Sequence, residues 1–327
     1  MIRPFIKWAG GKTRVLPDLL PHLPKADCLI EPFVGGASVF LATEYRRYVL
    51  ADINQDLINL YRCVTSYTDL VIEAAQEIFD KFNNDEGYAK IRNDFNYQRR
   101  SARMCAHTLE NIGRAAQFLY LNRHCYNGVC RYSEKTGFNV PFGKYKNVYF
   151  PENEIRLFAE KANDTKAIFL CAPFQRSLQI VTGGDVAVYC DPPYLPASKT
   201  ANFTQYHTEP FTEDNHRQLV QALLEVNRKH GAKVVISNSD TEATREIYHP
   251  FKLHEISVQR SVSTDKDNRQ KAKEVIGVLP VCDGCGRYDG GHCAQCCPGI
   301  AACEEGWSFD CCGNCDICEP SDNPETW

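Results

Sequence analysis

The chain contains no apolar run approaching the ~18 residues that a membrane-spanning helix needs, so a helical membrane protein is excluded. Its first residues, MIRPFIKWAGGK, lack the basic-then-apolar layout of a secretory leader, and a cytoplasmic location is expected. No segment recurs at a fixed period, apart from a CxxC spacing near the end, which argues against solenoids and repeat arrays. Positive charge is also in short supply. The 37 Lys and Arg face 41 Asp and Glu, a formal net charge of −4, and that sign ordinarily speaks against a nucleic-acid partner.

The deficit is local. Residues 282–327 hold nine acids and one basic residue, Arg287, so this segment carries −8 and the rest of the chain +4. A mildly basic body with an acidic appendix is compatible with nucleic-acid binding. Cysteine divides at the same place: ten of the 17 fall between Cys282 and Cys318, and the other seven are scattered. In a reducing compartment such a cluster reads as metal ligands rather than disulfides.

What is present is an ordinary globular composition, 43% hydrophobic and 24% charged, in 327 residues. That length accommodates a full α/β core and a second domain. Residues 28–33 (CLIEPF) and 48–53 (YVLADI) are short apolar runs ending in an acid or glycines, the pattern of buried parallel strands feeding helices. Residues 186–190, 233–238 and 275–279 have the same character. Helical stretches lie between, at 38–45, 212–230 and 240–248. The alternation predicts an α/β, doubly wound sheet. It is interrupted from about 60 to 164 by long polar helices and a Gly/Asn-punctuated aromatic segment, 126–149, which reads as an inserted helical domain with a β-hairpin near its end. The expected division is 1–59 with 165–281, then 60–164, then the tail 282–327.

Two motifs carry chemistry. Residues 31–37 (EPFVGGA) form a strand, a glycine turn and a helix start, where a cofactor can lie against backbone and helix N–H groups. Asp52, at the end of the next strand, is placed to accept hydrogen bonds from a ribose. Asp191-Pro192-Pro193-Tyr194 follows the apolar run 186–190 and so sits at the carboxyl end of a strand, where α/β enzymes place their sites. An aromatic amine is a poor nucleophile because its lone pair is delocalised into the ring. Hydrogen bonds from such an amine to the Asp191 carboxylate and the Pro192 carbonyl would localise that lone pair, and Tyr194 could stack on the base.

With these residues the chain resembles the Dam-type DNA adenine-N6 methyltransferases of bacteria and phages. The resemblance rests on 5–12 (FIKWAGGK), 31–40 (EPFVGGASVF), 51–57 (ADINQDL), a hairpin at 119–145 and 191–194, in family order across residues 1–279. Residues 202–207 (NFTQYH), 236–238 (ISN) and Arg260-Ser261 match more weakly. The resemblance implies a Rossmann-like methyltransferase sheet and transfer of a methyl group from S-adenosylmethionine to a flipped-out adenine in double-stranded DNA, in GATC. It implies that Trp8, Lys12, Glu31, Gly35, Asp52 and Asp191 line the cofactor pocket, and that Asp191, Pro192 and Tyr194 hold the base. Lys7 resembles the lysine that approaches the outer guanine. Arg131 would read guanine, since a guanidinium matches the O6/N7 edge bidentately. Tyr126 and Asn127 would sit near the flipped base, Val129 and Pro141 against a thymine methyl, and Lys144 and Lys146 on phosphate.

The chain departs from the family pattern in places. Ala37 stands where another glycine is usual, and would cost ~1 kcal/mol if that position needs φ > 0. His124-Cys125 replaces an aromatic–glycine pair ahead of the hairpin, and Lys144 stands where arginine is common, losing bidentate phosphate geometry. The tail matches nothing in the family. Its CxxC pairs Cys282/Cys285, Cys293/Cys296 and Cys312/Cys315 predict structural zinc, and its charge predicts a protein-docking module, or a brake competing for the basic cleft, rather than a DNA contact. A monomer is expected. Two other readings stay open at this level: a methyltransferase for RNA or a protein amide, and a DNA-binding regulator that keeps the fold without the activity.

Overall fold

A computed structural model describes residues 2–101, 108–182, 184–195, 211–259 and 271–281. Nine strands and ten α-helices are defined among them. The strands are β1 (Cys28–Glu31), β2 (Arg47–Asp52), β3 (Tyr132–Ser133), β4 (Gly137–Phe138), β5 (Ile168–Cys171), β6 (Val186–Cys190), β7 (Lys233–Ser239), β8 (Lys252–Gln259) and β9 (Lys271–Val278). The helices are α1 (Leu16–Leu19), α2 (Ser38–Ala42), α3 (Gln55–Ser66), α4 (Thr68–Lys81), α5 (Asp85–Ser101), α6 (Thr108–His124), α7 (Glu152–Asp164), α8 (Phe174–Gln179), α9 (Glu213–His230) and α10 (Glu242–Ile247).

Seven strands form one sheet in the order β5-β2-β1-β6-β7-β9-β8. The first five run parallel, and β9 is antiparallel to both β7 and β8. Because strand side chains alternate faces, each apolar strand supplies two cores. Leu29, Leu50, Ala187, Tyr189 and Val235 enter one, with Phe40, Tyr61 and Phe158 from α2, α3 and α7. Ile30, Val188, Cys190, Val234 and Ile236 enter the other, with Leu219 and Leu223 of α9 and Ile247 of α10. The predicted two-faced α/β sheet is therefore present. The first core continues without a break into Phe79, Tyr88, Phe95, Phe118 and Tyr120 of α4, α5 and α6, so the interposed helices are built onto the sheet's hydrophobic cluster.

Five expectations need correction. Residues 275–279 were expected to be a buried parallel strand, but β9 is antiparallel; a strand buried on both sides looks alike in sequence whichever way it runs. Residues 119–124 belong to the end of α6 rather than to the hairpin. The hairpin itself is smaller than residues 119–145: β3 and β4 pair Tyr132 with Phe138 and Ser133 with Gly137, and one further bridge joins Cys125 to Phe142. The helix expected at 38–45 ends at Ala42, and that expected at 240–248 spans Glu242–Ile247. The helix at 212–230 is α9, capped by a reciprocal Thr212–Asn215 box and closed by Gly231 in a left-handed turn at φ 70°.

Candidate active site

The order of strands reverses between β1 and β6, the position at which open α/β sheets gather ligands at their carboxyl ends. Glu31 ends β1, Asp52 ends β2, and Asp191 follows β6. Lys12 comes to the same place from the N-terminal motif. Its Nζ lies 2.7 Å from Asp191 Oδ1, with the two side chains 8% and 19% exposed. The same ammonium sits 4.6 Å from the centre of the Tyr194 ring, a cation–π contact, and donates to the Gly10 carbonyl at 3.2 Å.

Ser237 of β7 completes this centre by donating to Asp191 Oδ1 at 3.1 Å. Among the described residues, both contacts to the Asp191 carboxylate fall on Oδ1. Tyr194 donates its hydroxyl to Glu274 of β9 at 2.9 Å. Burial lifts the Asp191 carboxyl above its ordinary value, with Lys12 and Ser237 pulling against it. Burial works against the Lys12 ammonium too, but Asp191, Tyr189 and Glu274 outweigh it and hold the ammonium above its usual value.

The loop after β6 is held from behind. The buried His216 of α9 contacts the Pro193 carbonyl through Nε2 at 3.1 Å and the Tyr248 hydroxyl through Nδ1 at 3.0 Å. Since a carbonyl only accepts, Nε2 carries the proton and Nδ1 accepts from Tyr248. Burial drives the His216 pKa down to about 4, which keeps the ring in this neutral form. Asn238 accepts from the Leu195 N–H at 3.1 Å and donates to Tyr248 at 3.0 Å, while Ser239 donates to the Leu195 carbonyl at 2.6 Å.

The glycine turn lies beside Trp8. Gly35 has φ 45°, and a Cβ there would meet the Trp8 indole at 2.9 Å, so only glycine fits under the ring. Its N–H donates to Asp52 Oδ2 at 3.1 Å, and Asn54 N–H donates to Oδ1 at 2.9 Å. Ala37 adopts φ 58° and is fully buried, so the left-handed conformation at that position is real and is carried by a residue with a Cβ. Glu31 is 2% exposed and its Oε1 has no hydrogen-bond partner among the described residues. Burial, helped by the Asp191 charge, raises its carboxyl well above the usual range.

The N-terminal motif also reaches the hairpin. Asn122 of α6 brackets Lys7, accepting from its N–H at 2.8 Å and donating to its carbonyl at 2.7 Å. Gly128, at φ 65°, lies so close that a Cβ would come within 2.2 Å of Lys7 Cβ. The Lys7 ammonium donates to the Arg123 carbonyl at 3.1 Å and covers the Tyr145 ring at 4.2 Å. Beyond it, Tyr126, Asn127, Arg131, Pro141 and Lys144 are exposed and Val129 half-buried. Arg131 donates through Nε to Asn139 Oδ1 at 2.7 Å. Asn127 and Lys144 both have φ 54°, and Lys144 is 4.0 Å from Asp85. His124 and Cys125 are buried, His124 stacking on Tyr120, so the approach to the hairpin survives their replacement of an aromatic–glycine pair.

Lys12, Asp191 and Tyr194 thus meet directly, Glu31 lies near enough for the Asp191 charge to act on it, and Trp8, Gly35 and Asp52 form an adjoining unit. Tyr126, Asn127, Arg131, Pro141 and Lys144, expected to contact DNA, are exposed on and around the hairpin. Reasoning from sequence missed His216, Glu274 and Asn122, which are single polar residues whose partners are distant in the chain. Ser237 and Asn238 left only the faint ISN signal. Residues 202–207, Arg260, Ser261 and the tail cysteines Cys282, Cys285, Cys293, Cys296, Cys312 and Cys315 lie outside the described residues. Among those described, no group of three or more metal-ligating side chains occurs, and no helix is long and apolar enough to cross a membrane.

Residues 8–262 match the family described as D12 class N6 adenine-specific DNA methyltransferase. The chain is 47% identical over 277 residues to the DNA adenine methylase of Escherichia coli (strain K12), covering 84% of this chain and 95% of that protein. It is 45% identical over 277 residues to the DNA adenine methylase of Serratia marcescens, covering 84% and 98%. To the Retron Ec67 DNA adenine methylase of Escherichia coli it is 43% identical over 273 residues, covering 84% and 90%.

Proposed function

The chain belongs to the D12 class of N6 adenine-specific DNA methyltransferases, and on that premise we propose that it uses S-adenosylmethionine to methylate adenine in GATC, acting on a base flipped out of the duplex. The observation that carries the reading is the buried Lys12–Asp191–Tyr194 centre at the carboxyl end of β6, next to the glycine turn.

The cofactor's charges fit the residues present. Glu31 Oε1 is a buried acceptor in want of a donor, which suits a cofactor with cationic groups. Lys12 suits its carboxylate and Asp52 its ribose hydroxyls, while Gly35 lets the Trp8 ring pack directly on the turn beside Asp52. When bound, S-adenosylmethionine supplies the electrophilic methyl group. Everything else falls to the chain. Asp191 and the Pro192 carbonyl accept hydrogen bonds from the adenine amino group and draw its lone pair out of the ring. The carboxylate then faces the positive charge that develops on that nitrogen, in a setting from which burial excludes water. Tyr194, oriented by Glu274, stacks on the base. The His216 network fixes the Pro193 carbonyl and hence the loop that presents these groups.

Base reading falls to the hairpin. Arg131 is exposed and its Nε is braced by Asn139, which leaves the outer guanidinium nitrogens for the O6/N7 edge of guanine. Lys7, Tyr126, Asn127, Val129, Pro141 and Lys144 take the roles the family resemblance assigns, with residues 60–164 as the target-recognition domain. The test is labelled methyl transfer to duplexes containing GATC, the single-base variant GTTC, or pre-methylated GATC. Transfer only to unmethylated GATC is expected. Transfer to GTTC as well would sink the GATC reading, and binding without transfer to any duplex would make the protein a regulator on an inactive fold.

A further inference from the structure

The hairpin that carries Arg131 has strands of two residues each, too few to hold its own geometry in water. Something else must aim it. Tyr132, the residue after Arg131, is half-buried and donates its hydroxyl to Asp56 Oδ2 at 2.9 Å. Asp56 Oδ1 in turn accepts from Arg114 Nε of α6 at 2.7 Å, a pair with both side chains under a tenth exposed. Arg114 is itself fixed: its NH1 donates to the Phe95 carbonyl at 2.9 Å, and its guanidinium lies 3.9 Å from the Phe95 ring centre.

Asp56 stands in the first turn of α3, immediately beyond the cofactor-side turn. Asn54 caps that helix by accepting from the N–H groups of Asp56 and Leu57, each at 3.1 Å, and its own N–H is bonded to Asp52. A run of hydrogen bonds therefore leads from Gly35 through Asp52, Asn54 and Asp56 to Tyr132 at the root of the hairpin. The opposite strand is pinned separately by Asn96, which accepts from Phe138 N–H at 2.8 Å and donates to its carbonyl at 2.9 Å.

We propose that Asp56, held by Arg114 and acting through the Tyr132 hydroxyl, is a positioning residue for sequence discrimination: it sets the aim of Arg131 in the same frame as the cofactor turn. The inference rests on the reading of Arg131 as the guanine contact. Neither Asp56 nor Tyr132 touches DNA or cofactor in this scheme. Their effect falls on the ratio of rates between the right and wrong base rather than on the chemistry.

The experiment compares wild type, Tyr132→Phe and Tyr120→Phe on duplexes carrying GATC and each of its single-base variants, below the melting temperature of all three proteins. Tyr120→Phe is the structural control, since it also removes a hydroxyl bond within the helices, to the Phe82 carbonyl at 2.6 Å. Which duplex wild type prefers tests the GATC reading. How far Tyr132→Phe narrows the kcat/KM gap between the preferred duplex and its variants tests this inference. A fall of about tenfold in that gap is expected, with kcat on the preferred duplex little changed and the gap intact in Tyr120→Phe. An unchanged gap in Tyr132→Phe, or an equal fall in both variants, overturns the proposal.

Discussion

Lys12 Nζ and Asp191 Oδ1 are 2.7 Å apart at the carboxyl end of β6, in a site where neither side chain is more than 19% exposed. The pair joins the N-terminal motif to the loop after β6, and it makes Lys12 a determinant of the charge on Asp191. Burial raises that carboxyl and Lys12 opposes the rise. Lys12→Met removes the opposition and lifts the carboxyl further. Activity that needs the ionised carboxylate is then lost at a higher pH than in wild type, so the acid limb of the kcat/KM profile moves upward. Leaving a buried charge without its partner also costs of order 3 kcal/mol of stability at neutral pH, less in acid where Asp191 takes up a proton. A pH–rate profile and denaturation at two pH values check both.

Glu31 gives the complementary result. Its folded pKa lies well above the ordinary 4.5, so the folded state favours the protonated carboxyl. The stability associated with Glu31 is therefore full below its unfolded pKa and is lost as pH rises through the folded value. Glu31→Gln, always neutral, should match wild type in acid and exceed it in thermal stability as pH climbs through that window, the gap then staying constant. The same variant should bind S-adenosylmethionine more weakly, read by calorimetry without DNA. Stability equal at all pH values would mean that Glu31 is not held protonated in the cofactor-free protein.

Ala37 occupies a left-handed conformation at φ 58°. An L-residue with a Cβ pays about 1–2 kcal/mol there, part of which glycine returns through its greater freedom when unfolded. Ala37→Gly is expected to stabilise the protein by about 0.5–1 kcal/mol. Thermal unfolding would show a rise of about 1–3 °C, with methyl transfer unimpaired. A loss of stability would show that the buried methyl group contributes more than the backbone strain takes away.

Much of the site was legible because its signals are contiguous. Residues 186–190 form an unbroken apolar run ending in Asp191 and two prolines, and residues 31–36 place an acid and two glycines at a strand end. What was not legible lies in pairings between distant residues. Asn122 is one polar residue in a helix until Lys7 is laid beside it, and His216 is one histidine until Pro193 and Tyr248 reach its two nitrogens. The fold shows the same division. β6 announces itself through burial on both faces, whereas the described residues of the edge strand β8 are only exposed or half-buried. Residues 119–124 run straight from α6 into the hairpin, so nothing local in the sequence marks where the helix ends.

His216 supplies the last prediction. Its folded pKa of about 4, against an ordinary 6.5, reflects burial, only partly offset by the bond to the Pro193 carbonyl. A depressed pKa means the neutral ring is the one the fold accepts. The stability it contributes is present above pH 6.5 and is lost as pH falls toward 4. His216→Phe keeps the ring's bulk but leaves the Pro193 carbonyl and the Tyr248 hydroxyl without their partner. The loop carrying Asp191 and Tyr194 should then lose its register, lowering kcat by about tenfold or more, since loosely held groups forfeit orientation. Discrimination between GATC and its variants, which we propose the hairpin sets, should not change. Denaturation between pH 4 and pH 6.5 should also show a shallower loss of stability for the variant than for wild type, because the titrating ring is gone. A fall in discrimination matching the fall in kcat would mean that α9 supports the hairpin as well as the loop.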